Sequence, residues 1–287
     1  MSILLTALKQ IFASRGVTPE RPPAVLNPSA GLPLSLTLEQ YESLNPRCEI
    51  DHDGVTMIFA APSAMTRWRA ETIYQKEPWT LEWIAEFKPN DILLDCGANV
   101  GMYTIWAAAT RRARVYAFEP ESQNFALLNR NIRLNGLGSQ VKAYCMGLSD
   151  TSGLFDLHMA DLRVGGSCHS LGEAQDFKHE PLAAQFVQGS IAHTLDDLVA
   201  AGTVPVPTHI KIDVDGFEPK VVAGARTTLA NLAVRSVLIE TNQNLEDHRA
   251  MVDELNAMGL KHDPAQVQRA ERKEGTFTGV AEYVFRR

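Results

Sequence analysis

From Asp91 to the C-terminus, short apolar runs alternate with longer stretches whose apolar residues recur at helical spacing. Ile92-Leu93-Leu94 is an uninterrupted apolar run, the pattern of a strand covered on both faces. A helix follows from Met102, with Ile105, Trp106 and Ala107 to Ala109 and no breaker. Arg114 to Phe118 reads as the second strand. Glu121 to Leu134 reads as a helix with a stripe of Phe125, Leu128 and Ile132, stopped by Asn135-Gly136. Val141 to Met146, His209 to Ile212 and Val234 to Ile239 are further strands, and Gly147 to Asp150 is a turn. Leu245 to Met258 is a helix, and Gly275 to Phe285 a final hairpin partner with Glu282 to Phe285 as its strand. The alternation predicts an α/β fold, doubly wound around a mostly parallel sheet, with a C-terminal antiparallel hairpin strand.

The first part of the chain is patterned differently. Met1 to Ala13 carries Leu4, Leu8, Ile11 and Phe12 at helical spacing. Residues 14–50 hold Pro19, Pro22, Pro23, Pro28, Pro33 and Pro46, which excludes a single helix or a central strand. They read as an arm with a short helix at Leu38 to Leu44. Asp53-Gly54 is a turn signal before a strand at Val55 to Phe59. The expected division is therefore an N-terminal helix and proline-rich arm over 1–54, and a domain over 55–287 with its own cap. That cap is a helical stretch, Met65 to Phe87, broken at Pro78. Residues 150–190 show no regular period, and their run Gly165-Gly166-Ser167-Cys168-His169-Ser170 suggests a functional loop beside an acceptor pocket.

Residues able to do chemistry collect where strands end. Asp95 closes the first strand and leads into Gly97-Ala98-Asn99-Val100-Gly101, a turn whose glycines permit tight bending and close approach of a ligand. The following helix N-terminus points free N–H groups at that place. Glu119 ends the second strand, about 20 residues beyond the turn, where an acid can accept hydrogen bonds from ribose hydroxyls. Glu119 would also be welcome merely as a carboxylate in the first turn of the next helix. Gly147, Asp213 and Glu240 lie at further strand ends, where ligands bind in open α/β sheets.

Four pieces together resemble the FkbM family of class I S-adenosylmethionine-dependent methyltransferases. They are Glu77-Pro-Trp-Thr-Leu-Glu82, Asp95-Cys-Gly-Ala-Asn-Val-Gly101 with Phe118-Glu119-Pro120 after it, Thr194-Leu-Asp-Asp-Leu198, and Lys211-Ile-Asp-Val-Asp-Gly-Phe-Glu218. The resemblance spans about residues 55–287. It implies a Rossmann-like methyltransferase fold and S-adenosylmethionine as cofactor. Asp95 and the Gly97, Ala98, Asn99 and Gly101 backbone would hold the methionine end, Glu119 the ribose, and Gly147 would approach the adenine. Asp213 would lie nearest the transferred methyl. Because FkbM relatives are O-methyltransferases of sugars and natural products, the expected acceptor is a hydroxyl on a small molecule or carbohydrate. Proton removal falls to Asp213, with His169 second.

The formal net charge of -7 argues against broad attraction to nucleic acid or anionic lipid. Cys48, Cys96, Cys145 and Cys168 form no CxxC pair, so a reducing, cytoplasmic setting is expected. No apolar run is long enough for an integral membrane segment. The N-terminal helix and arm suit packing on the protein itself or on a second copy, as a homo-oligomer. Asp213, Asp215 and Glu240 have oxygen ligands for a divalent cation, but such clusters at strand ends are common without one, and no metal is expected. Two rival readings remain. A nicotinamide-dependent oxidoreductase would need G-x-G-x-x-G, and Asp95 would repel its pyrophosphate; a non-catalytic cofactor-binding module would lack turnover.

Overall fold

The computed structural model describes residues 37–287, so the expected helix at Met1 to Ala13 and most of the proline arm lie outside the described residues. The chain divides into two compact units, Met1–Leu44 and Asn45–Arg287. In the first, Leu38–Ser43 is a short helix started by a capping box, Thr37 with Gln40.

The second unit is built on a seven-stranded sheet. Its parallel strands are β3 (Ile92–Cys96), β4 (Arg114–Phe118), β5 (Val141–Tyr144), β10 (His209–Ile212) and β11 (Ser236–Asn242). Two antiparallel strands complete it, β12 (Lys261–His262) and β13 (Val280–Arg286), in the order β12-β13-β11-β10-β3-β4-β5. Successive side chains point to opposite faces, and both faces are covered. Leu93, Val115 and Leu238 pack on one side with Trp83, Ile84, Phe87 and Ile105. Leu94, Ile210, Ile212 and Val237 pack on the other with Leu229 and Leu255. That double burial is why these strands read as continuous apolar runs. The mostly parallel sheet and its C-terminal antiparallel strand are as expected; β13 is inserted between β11 and β12.

Three other parts differ from the expectation. Residues 150–190 are irregular only in part: β7 (Gly153–Met159) and β9 (Phe186–His193) pair antiparallel, and with β6 (Gly147–Leu148) and β8 (Ser170–Leu171) they form a second sheet, while most of 160–185, with the glycine-rich run, is loop. The third strand stops at Tyr144, and Gly147 belongs to β6 rather than to a turn. The cap helix is broken at Thr72 as well as before Pro78, giving Ala64–Glu71, Ile73–Lys76 and Pro78–Ala85.

Strands β1 (Arg47–His52) and β2 (Val55–Ala60) form a hairpin that straddles position 54. Asp53 and Gly54 both have positive φ, 49° and 79°, the backbone of a two-residue hairpin turn. Helix Ser122–Leu134 holds this hairpin with amide side chains in place of a neighbouring strand. Asn131 accepts from the Ala60 N–H at 2.8 Å and donates to the Val100 carbonyl at 2.8 Å. Asn135 bonds both the N–H and the C=O of Ile58. Trp83 lies at the opposite end of the sheet from the glycine turn, donating to Ser236 at 2.8 Å beside the His209 ring, so its role is to cover the sheet.

Candidate active site

The turn after β3 is shaped by three residues of positive φ: Gly97 (81°), Asn99 (50°) and Gly101 (86°). The Gly97 and Ala98 N–H groups both donate to the Phe118 carbonyl at 3.0 Å, which ties the turn to the end of β4. A Cβ on Gly97 would lie 1.8 Å from the backbone oxygen of Asp213, and one on Gly101 would lie 2.4 Å from Leu128. The space both glycines leave is therefore filled by the protein itself. At Gly97 this lets the ends of β3 and β10 close together, and Gly97 also lines the cavities beside the turn.

Glu119 sits immediately beyond β4, buried, with both oxygens used by backbone. Oε2 accepts from the Asn99 N–H at 2.8 Å, and Oε1 from the Glu121 N–H at 2.9 Å. Burial pushes its carboxyl up to about 8 against the pull of those two bonds. Asn99 also donates to the Gly166 carbonyl at 2.7 Å, and Asn124 donates to the same oxygen and accepts from the Gly165 N–H. The glycine-rich segment is thereby pinned over the turn.

Two cavities meet at this point. The first, with about 80 Å³ of internal space, runs past Gly97 and Glu119 to Gly147, with Phe118, Leu148 and Leu157 among its apolar walls. That combination of an apolar slot and one buried acid fits an adenosine group. The second, about 430 Å³, opens towards Trp68, Arg69, Lys76, Glu240, Arg272 and Phe277. Gly97, Asn99, Ser167, Asp213 and Asp215 line both. Of the residues singled out in the sequence, Gly97, Asn99, Glu119, Gly147, Asp213 and His169 line the first cavity. Ala98 faces a smaller recess beside Tyr103 and Lys211. Asp95 and Gly101 line none of these spaces. Asp95 is buried behind the wall, one oxygen bonded to the Thr104 hydroxyl and the other without a partner.

The charges under the junction are arranged in pairs. Lys211, 2% exposed, donates to Asp213 at 2.6 Å. Burial alone would lower its ammonium, but Asp213, Glu77 and Asp95 hold it well above the usual lysine range. Burial would raise Glu77, yet Lys76 and Lys211 keep it well below the usual carboxylate range. Asp213 is thus bound to a permanent cation. Asp215 is placed differently: one oxygen accepts from the Cys168 N–H at 2.7 Å, and burial, followed by the Asp213 charge, pushes it up to about 6. Its own backbone is left-handed, φ 56°. Glu218 fixes the loop from below by accepting the Val214 and Gly216 N–H groups. His169 lies on the first cavity only, its Nδ1 unpartnered and its basicity lowered by burial.

Asp213, Asp215 and Glu240 place one oxygen each within 4.8 Å of one another. Two of the three already have cations, Lys211 on Asp213 and Arg272 on Glu240 at 2.8 Å. Sequence reasoning missed the second cavity's Arg69, Lys76, Arg272 and Phe277, which come from opposite ends of the unit and share no local motif. It also passed over Lys211 as a strand residue, although a lysine in a strand buried on both faces requires a counter-charge.

Residues 95–261, more than half of the chain, match the family model described as the methyltransferase FkbM domain. Over 194 residues, 67% of this chain and 73% of its relative, the chain is 25% identical to the hexuronic acid methyltransferase AglP of Haloferax volcanii. It is 35% identical over 97 residues, 33% of this chain and 37% of the relative, to the methyltransferase sdnD of Sordaria araneosa. Among solved structures, the precorrin-6y C5,15-methyltransferase of Geobacter metallireducens covers 80% of this chain, which covers 93% of it, at 11% identity and a TM-score of 0.45. The chain belongs to the FkbM methyltransferase family, and its cofactor is S-adenosylmethionine.

Proposed function

We propose that the protein methylates a hydroxyl oxygen on a small-molecule or carbohydrate acceptor. The observation that carries this reading is the junction of the two cavities over Gly97, Asn99, Ser167, Asp213 and Asp215, with a half-buried carboxylate at the meeting point. When bound, the cofactor supplies a methyl group already activated on a sulfonium. The chain's part is to hold the two partners in line and to accept a proton. Glu119 has one lone pair per oxygen left for ribose hydroxyls. The orphaned Asp95 oxygen adds negative charge behind the methionine end, suited to an amino group.

Asp213, ion-paired with Lys211 at 2.6 Å, serves as a fixed negative charge that orients. Proton removal is assigned to Asp215, whose second oxygen is unbonded and whose raised pKa brings it nearer to a poor nucleophile such as a sugar hydroxyl. His169 lies away from the acceptor side, on the cofactor cavity. A sugar acceptor is supported further by the name of the Haloferax volcanii relative. We place the reaction in a reducing, cytoplasmic setting, consistent with four free cysteines. Among the described residues no helix is long and apolar enough to cross a membrane.

The test is incubation with S-adenosylmethionine carrying a 13C-methyl group, together with methyl glycosides of neutral and acidic hexoses. The product is read by NMR and S-adenosylhomocysteine is counted in parallel. An O-methyl signal with equimolar S-adenosylhomocysteine is expected. Label on nitrogen or carbon, or cofactor binding without any turnover on a wide acceptor panel, would overturn the reading.

A further inference from the structure

The second cavity has a cation with no salt-bridge partner among the described residues, its nearest influence being on Asp215 across the cavity. Arg69 lies on the inward stripe of helix Ala64–Glu71 with Thr66 and Ala70, and is 9% exposed. Its Nε donates to the Gly165 carbonyl at 2.7 Å, its one hydrogen bond among the described residues. No carboxylate among those residues lies within 4.0 Å of its guanidinium, and its terminal nitrogens have no partner there. The neighbouring cations are occupied. Lys76 is paired with Glu77, and Arg272 donates to Glu240 and Glu282 at 2.8 Å each. Two positions earlier on the same helix, exposed Arg67 has its own Glu71 at 2.7 Å.

The terminal nitrogens of this guanidinium open onto the cavity with no protein acceptor among the described residues, which leaves both N–H groups available to an anion. Arg69 also lines the cavity that Asp215 enters from the other side. From this we infer that the cavity binds an acceptor bearing a carboxylate, which Arg69 takes through its two terminal N–H groups while the reacting hydroxyl faces Asp215. The planar fork of an arginine matches a carboxylate in two parallel bonds. Asp213, Asp215 and Glu240 in the same cavity disfavour a doubly charged phosphate more than a singly charged carboxylate. At the mouth, Trp68 is 45% exposed and Phe277 packs against Phe177, so aromatic surface is available to the apolar face of a ring. A sugar acid combines the three features: a carboxylate, a ring face and a free hydroxyl.

This inference rests on the hydroxyl-acceptor reading, and its test separates the two. Methyl glycosides of hexuronic acids and of the matching neutral hexoses differ only at one carbon. Both sets are titrated calorimetrically into the protein saturated with S-adenosylhomocysteine, and both are assayed for methyl transfer. The wild type should bind at least one hexuronide 10-fold or more tighter than its neutral partner. Arg69→Met should shrink that preference to within twofold, while Arg69→Lys keeps part of it. The wild-type comparison stands without any variant, so poor folding of Arg69→Met leaves the question decidable. Equal affinity for acid and neutral sugars in the wild type would overturn the carboxylate subsite while leaving hydroxyl methylation intact. Tighter binding of a hexose 6-phosphate than of every hexuronide would also overturn it. If neither set binds or is methylated, the hydroxyl-acceptor reading fails and this inference with it.

Discussion

Replacing Gly97 by alanine separates two accounts of the glycine turn. In the ligand account the missing Cβ makes room for cofactor, so Gly97→Ala should fold normally and bind poorly. In the structure that room is already taken: the added carbon would lie 1.8 Å from the Asp213 backbone oxygen and 2.9 Å from its carbonyl carbon. Neither atom belongs to a flexible side chain, so relief requires β3 and β10 to move apart where the Asp213 N–H donates to Cys96 at 3.1 Å. The φ of 81° adds backbone strain of roughly 1–2 kcal/mol for a residue with a Cβ. Overpacking against rigid backbone adds about 1–3 kcal/mol. The sum, about 2–5 kcal/mol, corresponds to a fall in Tm of roughly 5–20 °C for a unit of this size. Gly54 is the control, since its φ is 79° but no atom lies within 4 Å of an added Cβ. Gly54→Ala should therefore show only the strain part. The assay is differential scanning calorimetry of the protein without cofactor. A Gly97→Ala variant that melts no lower than Gly54→Ala, and loses only cofactor affinity, would refute the argument.

Glu119→Ala should weaken S-adenosylmethionine binding by about 1.5–3 kcal/mol in calorimetric titration, because hydrogen bonds to a charged acceptor are lost. Since burial holds the free Glu119 carboxyl near 8 and ribose donors favour its charged form, binding at pH 7 should release protons, and affinity should rise as pH approaches 8; equal binding enthalpies in buffers of different ionisation heat would contradict this. Asp215→Asn should lower single-turnover methylation by about 10²–10⁴-fold. The wild-type rate should climb with pH through about 6, because the base works only when deprotonated, and the variant should lack that limb. Asp213→Asn should instead destabilise the protein by about 1.5–3 kcal/mol in denaturant unfolding, since it removes the hydrogen-bonded member of the three acids around buried Lys211; an unchanged midpoint would remove that assignment. Activity should survive exhaustive EDTA treatment, and loss of activity restored by a divalent ion would assign Asp213, Asp215 and Glu240 as its ligands instead.

The parallel strands were legible because their burial is two-sided and leaves a simple trace, an apolar run such as Ile92-Leu93-Leu94 or the one around Ile210 and Ile212. The second sheet lacks that trace. β7 and β9 turn one face outward, and Leu154, Val187 and Ile191 stand exposed on it beside Asp156 and His158. In β7, Phe155, Leu157 and Met159 alternate with Asp156 and His158, a period-2 trace over only five residues; in β9 the more buried face carries Gln188 and Ser190 while Val187 and Ile191 are exposed, and the trace is lost. β6 and β8, two residues each, fall below any window in which periodicity exists. The hairpin at Asp53-Gly54 was visible as a turn. Its first strand was hidden by Pro46 immediately before it and by the polar sequence Arg47-Cys-Glu-Ile-Asp-His52.

The site divides along the same physical line. Strand ends can be located from strands alone, so Glu119 and Asp213 could be gathered in advance; Glu240, expected at a strand end, lies within β11, which runs on to Asn242. What each acid does is set by residues that approach through space. Asp213 is an ion-pair member because Lys211, two residues earlier on the same strand and therefore on the same face, turns back beneath it. Asp215 stays unpaired by cation because the left-handed backbone at position 215 turns it to the Cys168 N–H instead. The acceptor side is harder still to read. Arg69 and Lys76 precede the sheet in the chain, whereas Arg272 and Phe277 lie just ahead of β13. The insertion of that strand beside β11 brings Arg272 against Glu240. The sequence pointed the other way, since Met65 and Trp68 are the large apolar residues of this helix, whereas the structure buries Thr66, Arg69 and Ala70. The terminal N–H groups of Arg69 are left available to an anion. Since no carboxylate of the described chain comes within salt-bridge distance, the position of Arg69 points to the ligand.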